Sequence, residues 1–326
     1  MISIIVPCFN EHEIIKEFML TLNSEITKIK EEFEVVFVDN KSNDNTLEII
    51  KKNIEIFNNY KIISLSNYFG KESGLLAGLD NSNGDAMIII DPDLEDPPKL
   101  IKSLIAKWKE GYEVVYARRN KVQLPFYKNI FKKIFYLVFR MSTKQELNIP
   151  SNTGDYRIID KKIKNILTTM RERTRFLRGL ISYIGFKQTG IFFDRPIRRK
   201  GKSKSTINFL IKYGMDALLS STSAPVSIIT RISMFSLFII SVITIFVFIN
   251  KLFVNPYEGF SLTVLLILFL FSLNTLLIGI VGEYITRIYD EVKIRPNYII
   301  EDIVTKKKKT FKNIFKIFLI LNIQYF

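Results

Sequence analysis

The sequence predicts an α/β domain on a mostly parallel β-sheet, followed by a pair of membrane-spanning helices. Two observations predict this. Short β-branched runs alternate with helical periodicity over the first 120 residues, and two long stretches beyond residue 225 carry no charge at all. A third concerns placement: Asn, Asp and Glu gather in the loops that end the strands, where open α/β sheets bind ligands.

In chain order, strands are predicted at 2–6, 33–38, 61–65, 87–90 and 114–116, with helices such as 14–29 and 100–109 between them. The strand-end loops read PCFNEHE, DNKSND, SNYFGKES and DPDLEDPP. Segment 126–141 mixes bulky apolar residues with Lys128, Lys132, Lys133 and Arg140. It is too charged to span a bilayer and too apolar for a solvated helix, so it reads as an interfacial helix on anionic lipid. The two uncharged stretches, about 232–250 and 260–282, each have the roughly 20 residues that cross a bilayer core. Arg198, Arg199, Lys200, Lys202, Lys204, Lys212 and Arg231 precede the pair. Arg287, Lys293, Arg295 and the lysines 306–309 follow it, whereas the connecting loop holds only Lys251 and Glu258. The positive-inside rule then places the α/β domain and both termini in the cytoplasm of a multi-pass cell-membrane protein. The domains are therefore 1–225, with juxtamembrane helices at 126–141 and 205–224, a membrane hairpin over 226–288, and a basic cytoplasmic tail over 289–326.

Composition removes several functions. With 47 Lys+Arg against 32 Asp+Glu, the net charge of +15 calls for an anionic partner. The cations concentrate beside the apolar stretches, so an anionic membrane and phosphate explain them and nucleic acid does not. Cys8 is the only cysteine and His12 the only histidine, so no intramolecular disulfide, multi-cysteine zinc site or H-E-x-x-H site exists. The N-terminal MISIIVPCFNE lacks the cationic start and long apolar run of a secretory signal.

The strongest local signal is Asp91-Pro92-Asp93-Leu94-Glu95-Asp96-Pro97-Pro98, which follows an apolar strand. Four acids in six residues repel one another unless a cation neutralises them. Asp91 and Asp93 can offer oxygens to one Mg²⁺ (or Mn²⁺), which usually takes one or two protein carboxylates plus substrate phosphates. The same residues also make an ordinary turn, with Asp96-Pro97-Pro98 as a helix start. Asp39, at the second strand's end, could accept hydrogen bonds from a base or ribose, and Asp44 or Asn45 could cap the next helix.

On these residues the chain resembles membrane-bound polyprenyl-phosphate glycosyltransferases of family 2, related to dolichyl-phosphate mannose synthase. The matching segments are ISIIVPCFNE, VVFVDNKSNDNT, SNYFGKESGLLAGLD, GDAMIIIDPDLEDPP, NTGDYRIIDKKI, RFLRGLISYIGF, an R-x-x-G-x-S-K stretch from Arg198 to Lys204, and VGEYITRIYDEVKIRPNYI. The resemblance implies the GT-A fold and an inverting transfer of sugar from a UDP-glucose-like or GDP-mannose-like donor to undecaprenyl or dolichyl phosphate. It also implies that Pro7, Asn10, Glu11 and Asp39 line the nucleoside pocket, and that Asp91, Asp93 and Glu95 hold metal and diphosphate. Asp155 and Arg157 fall near the reacting centre, Arg175 and Arg178 near the acceptor phosphate, and Arg198, Ser203 and Lys204 over the donor diphosphate. Arg118 or Arg119 aligns with a further arginine of the family. Where the family has V-D-D-G-S, this chain has Val38-Asp39-Asn40-Lys41-Ser42.

A phosphate monoester is already mostly dianionic at neutral pH, its second pKa being about 6. Asp155 is therefore expected to orient the acceptor rather than serve as a strong base. Two other readings compete: a catalytically inactive scaffold of a glycan-assembly system, and a processive polysaccharide synthase. The acidic clusters weigh against the first, and the absent Q-x-x-R-W motif around Trp108, the only tryptophan, weighs against the second. Two spans leave a small membrane footprint, compatible with a homo-oligomer.

Overall fold

A computed structural model describes residues 1–120, 150, 152–173, 175–194 and 260–306, with isolated helical positions between 234 and 245. An eight-stranded sheet organises them, in the order β7-β5-β6-β4-β1-β2-β3-β8. Its strands are β1 (Ile2–Cys8), β2 (Phe33–Asp39), β3 (Tyr60–Leu65), β4 (Ala86–Ile89), β5 (Val114–Arg119), β6 (Thr153–Asp160), β7 (Gln188–Phe193) and β8 (Ile300–Thr305). The helices that position the site are α1 (Ile15–Ile26), α2 (Thr46–Asn53), α3 (Lys71–Asp80), α4 (Ile101–Lys109), α5 (Lys161–Thr169), α6 (Leu177–Ile184) and α7 (Phe260–Val292).

β1 shows why the sheet lies inside. Its ISIIVPC run is buried almost throughout because helices cover both faces, so alternate residues feed two cores. Ile2, Ile4 and Val6 pack with Phe18, Met19 and Leu22 of α1, together with Ile50 of α2 and Leu104 of α4. Ile5 points the other way, into a cluster with Leu75 and Leu79 of α3, Ile163 of α5 and Leu177 of α6. The close approach of α3 to the sheet depends on Gly78, where a Cβ would come within 2.4 Å of Ile5 Cγ2 and 3.2 Å of Val38 Cγ2. Neither branched side chain can yield without moving its strand. Gly78→Ala is expected to cost about 1–3 kcal/mol, read as a lower denaturant midpoint with unchanged slope; a midpoint equal to wild type would contradict this packing.

β1 pairs in parallel with both β2 and β4, so the chain changes direction across the sheet between β1 and β4. A crevice forms beyond the carboxyl ends of strands at such a point. β6 then runs antiparallel to β4 and β5, with Arg157 opposite both Ile89 and Tyr116. That register decides the site. Two residues back along β6 and two residues on from Ile89, Asp155 meets Asp91.

α7 has 33 residues, about 50 Å at 1.5 Å per residue. Within it, Phe269–Val292 is long and apolar enough to cross a bilayer, and is the one such helix among the described residues. The predicted first span, about 232–250, lies outside them apart from isolated helical positions, as do both juxtamembrane segments, 126–141 and 205–224. The two-helix hairpin thus reduces to one helix among the described residues. Glu283 and Arg287 pair across one turn at 3.1 Å.

The stretch read as a tail from residue 289 begins instead with structure. Ile300–Thr305 adds to the sheet edge as β8, antiparallel to β3. On the way Tyr298 donates a hydrogen bond to Asp80 Oδ2 at 2.6 Å, and the Arg173 guanidinium donates to the carbonyls of Arg295 and Pro296. β3 would otherwise present an unpaired edge, and β8 covers it.

Candidate active site

The carboxyl edge of the sheet is made of four tight loops, and three of them hold a non-glycine residue in the left-handed region: Asn10 (φ 53°), Lys41 (φ 58°) and Leu94 (φ 59°). Asn bears this conformation readily, whereas for leucine it is costly and persists only where surroundings impose it. The bend at Leu94 lets Asp93 Oδ1 accept the Glu95 N–H at 3.0 Å.

The first two loops brace each other. The Asn10 N–H donates to Ser42 Oγ at 3.0 Å, and the Asn43 N–H returns a bond to Asn10 Oδ1 at 2.8 Å. The Glu11 N–H donates to Thr46 Oγ1 at 2.8 Å. Pro7 lies opposite Val38 in the parallel pairing, just before these loops leave the sheet. Asp44 caps α2 by accepting the Thr46 N–H at 3.0 Å and also holds His12 Nδ1 at 2.7 Å, which ties down the only histidine. Cys8 is a buried free thiol.

Asp39 stands at the centre of this floor. Oδ2 accepts the Ser42 N–H at 3.2 Å, but Oδ1 is buried with no hydrogen-bond partner. Burial raises its pKa despite the bonds from Ser42. A buried acceptor without a donor is costly unless a ligand supplies one. Asn40 and Lys41, the departures from the family pattern, are both engaged structurally. The Asn40 amide donates to the Gly70 carbonyl at 2.8 Å and accepts the Phe69 N–H at 3.0 Å, clamping the β3–α3 loop. Lys41 pairs with Glu301 of β8 at 2.8 Å. The rings of Phe9 and Tyr68 meet above, with centroids 4.3 Å apart.

The second half of the site is a charge cluster. Lys71 Nζ lies 2.6 Å from Asp91 Oδ2 and 2.8 Å from Asp155 Oδ2, while Arg178 Nε lies 2.9 Å from Asp155 Oδ1. Burial would raise the Asp155 pKa, but Arg178, Lys71 and Arg157 outweigh it and hold the carboxyl well below its usual value. Asp155 is an anion across the working range and a poor proton acceptor. Asp91 shifts the other way: burial and the charges of Asp155 and Asp93 raise it, against the pull of Lys71. Asp96, buried beneath, is pushed up to about 7 by burial and by Asp91 and Asp93, with Arg119 opposing.

The structure therefore brings Asp91, Asp155 and Arg178 together, with Asp93 and Glu95 in the adjoining turn. Arg157 curls back to donate to the carbonyls of Gly154 (2.6 Å) and Asp155 (3.3 Å). Arg175, expected near the acceptor phosphate, is buried and donates to the Leu167 carbonyl at 3.1 Å and to that of Met170, closing the end of α5. Of the adjacent arginines, Arg119 reaches the acids, 3.6 Å from Asp96 Oδ1, whereas Arg118 stacks over the Phe192 ring at 5.1 Å. Successive residues of a strand point to opposite faces, so only one of the two could serve. Gly154 makes room for Arg119, since a Cβ there would sit 3.2 Å from its Nη2. Arg198, Ser203 and Lys204 lie outside the described residues.

Reading the sequence alone missed Lys71, Glu72 and Asp96 as site residues. Glu72 accepts the Leu177 N–H at 3.2 Å at the start of α6. Burial and the nearby Asp155 charge raise its pKa from the usual 4.5 to about 7, against Arg178 and Lys71. The folded state thus holds this proton more tightly than the unfolded chain. Its contribution is full below pH about 4.5 and fades as pH rises through about 7. Glu72→Gln keeps the acceptor oxygen and removes the ionisation. The variant is expected to gain thermal midpoint relative to wild type at pH 8 but not at pH 5; an equal difference at both would refute the shift.

No three His, Cys, Asp or Glu side chains converge into a metal cage among the described residues. What the edge offers is a pair of carboxylates, Asp91 and Asp93, in a crowded acidic turn. That set suits Mg²⁺ or Mn²⁺ when the remaining positions go to substrate phosphates and water.

A doubly wound sheet with an acidic turn beyond its central strands and a buried aspartate at the end of β2 has its polar residues at the carboxyl edge, where open α/β sheets bind ligands. Residues 3–167 match the family described as Glycosyl transferase family 2, and the chain belongs to that family; it is a glycosyltransferase with a GT-A-like fold. An uncharacterized glycosyltransferase of Synechocystis is 36% identical over 304 residues, covering 93% of this chain and 95% of the relative. The SfII prophage-derived bactoprenol glucosyl transferase of Shigella flexneri is 35% identical over 306 residues, covering 92% and 97%. Among solved structures, glucosyl-3-phosphoglycerate synthase from Mycobacterium tuberculosis in complex with Mn²⁺ and UDP-glucose is similar with a TM-score of 0.47 and 14% identity, covering 68% of this chain and 77% of the other.

Proposed function

We propose that the chain transfers a sugar from a nucleoside-diphosphate donor to the phosphate of a membrane polyprenol, with inversion at the anomeric carbon. The observation that carries this reading is the end-to-end similarity to a bactoprenol glucosyl transferase, 97% of which is covered. The reading extends to the apolar helix α7, which suits a lipid acceptor. Since that relative is named for glucose, a UDP-glucose-like donor is the first to try, with a GDP-mannose-like donor the alternative.

In this reading the unpartnered Asp39 Oδ1 accepts an N–H of the base, and the braced loops of Asn10 and Glu11 shape the nucleoside pocket. Asp91 and Asp93, with Glu95 in the same turn, would hold Mg²⁺ or Mn²⁺, which supplies positive charge to the leaving diphosphate. An oxygen of the acceptor phosphate attacks the anomeric carbon. The bond from that carbon to the diphosphate oxygen breaks, and its electron pair leaves with the nucleoside diphosphate. Arg178 faces the incoming phosphate while Asp155 fixes the guanidinium by a bond at 2.9 Å. The acceptor needs no strong base, because it arrives mostly dianionic, and an Asp155 held well below its usual pKa is suited to positioning. Arg198, Ser203 and Lys204 are assigned to the donor diphosphate on the motif alone. The catalytic domain is proposed to lie on the cytoplasmic membrane face.

Purified protein in detergent, given undecaprenyl phosphate and a panel of radiolabelled nucleotide sugars, is expected to move label into the organic phase from one donor. EDTA is expected to abolish that transfer. Nucleotide binding without transfer from any donor to any polyprenyl phosphate would overturn the acceptor assignment.

A further inference from the structure

Lys71 is the first residue of α3 and follows Gly70, whose φ of 87° turns the chain into the helix. Its ammonium bridges the two halves of the site, 2.6 Å from Asp91 on one side and 2.8 Å from Asp155 on the other. The side chain is partly open to the crevice, so a ligand can reach it. An ammonium at that distance from Asp91 Oδ2 would lie close to a divalent cation held by the same carboxylate. Mg²⁺ binds oxygen at about 2.0–2.1 Å, and two positive charges a few ångströms apart repel strongly in a partly buried site. Lys71 and a metal therefore compete for Asp91.

A diphosphate removes the conflict. Lysine is a compact charge on a flexible four-carbon stem with three rotatable donors, so it can keep Asp155 while exchanging its second partner. A phosphoryl oxygen can take the place of Asp91, and no charge is left without a partner. We propose that Lys71 is a positioning residue that makes divalent-cation binding at Asp91 and Asp93 depend on a bound diphosphate. The ammonium leaves Asp91 for a phosphoryl oxygen, and the carboxylate so released becomes available to the metal. The choice of a diphosphate rests on the function proposed above, but its binding can be measured without any sugar transfer.

The test is Mn²⁺ binding to the full chain in detergent, read from the free-Mn²⁺ electron paramagnetic resonance signal. It is done alone and with pyrophosphate, UDP or GDP, allowing for Mn²⁺ held by free diphosphate. In wild type, diphosphate is expected to tighten Mn²⁺ by at least about tenfold, and Mn²⁺ to tighten diphosphate by the same factor, as linkage requires. Coupling by pyrophosphate as well as the nucleotides would assign the effect to the phosphates. Coupling by UDP or GDP alone would overturn that assignment.

Lys71→Met is expected to bind Mn²⁺ about tenfold more tightly than wild type without diphosphate, and to keep only the coupling that direct coordination by phosphate oxygens supplies. Lys71→Arg retains the cation and is expected to retain the coupling. Equal Mn²⁺ affinity in wild type with and without diphosphate would overturn the proposal, and so would a folded Lys71→Met protein with unchanged coupling. If Lys71→Met fails to fold, Lys71→Gln, which keeps a polar head without the charge, decides in its place. Coupled binding in a protein that transfers nothing to polyprenyl phosphate would refute the proposed acceptor and leave the role of Lys71 standing.

Discussion

Asp91→Asn is expected to reduce sugar transfer by at least about a thousandfold, the largest effect of any single substitution at the site. Loss of one preorganised electrostatic partner of a developing charge costs on the order of 10²–10³ in rate. Asp91 does more than that. It is one of two carboxylates in the turn suited to hold the metal, and it is the partner of Lys71 at 2.6 Å. The amide cannot replace the charge in either role. The variant should remain folded, because burial already raises the Asp91 pKa and the ionised form is not what stabilises the fold. Rates above about a tenth of wild type, in a variant with normal nucleotide and metal binding, would remove Asp91 from the mechanism.

Asp155→Asn is expected to act chiefly through structure and acceptor binding. Asp155 is the shared anion between Lys71 and Arg178, and its neutralisation leaves two cations facing each other without their partner. Removing one member of a buried ion pair commonly costs about 3–5 kcal/mol; here the partial exposure of both partners reduces that to the order of 1–3 kcal/mol. The denaturant midpoint should fall accordingly, and KM for the lipid acceptor should rise more than kcat falls. The pH profile of kcat should not move, because the carboxyl is held well below its usual range and stays ionised throughout. An acidic limb present in wild type and absent in Asp155→Asn would establish it as a proton acceptor.

These expectations depend on how chain segments far apart in sequence meet, and that is where sequence reading succeeded and failed. The central strands were legible because both faces are buried: 2–6 and 33–38 are β-branched, mostly apolar runs broken only by Ser3 and Glu34, and β1 and β2 extend each by no more than two residues. Asp91 and Asp39 were legible as polar residues placed directly after such runs. Asp155 and Arg178 were found only through family resemblance, since no local pattern says that β6 runs antiparallel to β4. Lys71 was hidden for the same reason. In FGKES it looks like a solvated residue at a helix start, and its two partners lie 20 and 84 positions away.

Arg175 and Arg178 illustrate a different limit. Both flank the start of α6, yet the first turns back on the carbonyls of Leu167 and Met170 and the second turns toward Asp155. Charge alone does not separate a helix-end partner from a residue that turns toward the acidic cluster; direction does. β8 escaped notice because IEDIVT mixes charged and apolar residues, as an edge strand does, and follows a long apolar helix. Asn40 and Lys41 show a sequence departure with a structural purpose. One clamps the loop before α3 and the other joins β8, so both are occupied within the chain.

The central claim is inverting transfer to a polyprenyl phosphate, and the linkage in the product tests it most directly. Carbon-13-labelled nucleotide sugar, of the donor that supports transfer, would be incubated with undecaprenyl phosphate and Mg²⁺, and the lipid product examined by NMR. A sugar joined through its anomeric carbon to a single phosphate, with configuration opposite to that of the donor, is the predicted result. Retained configuration, or release of free sugar with no lipid product, would contradict the account.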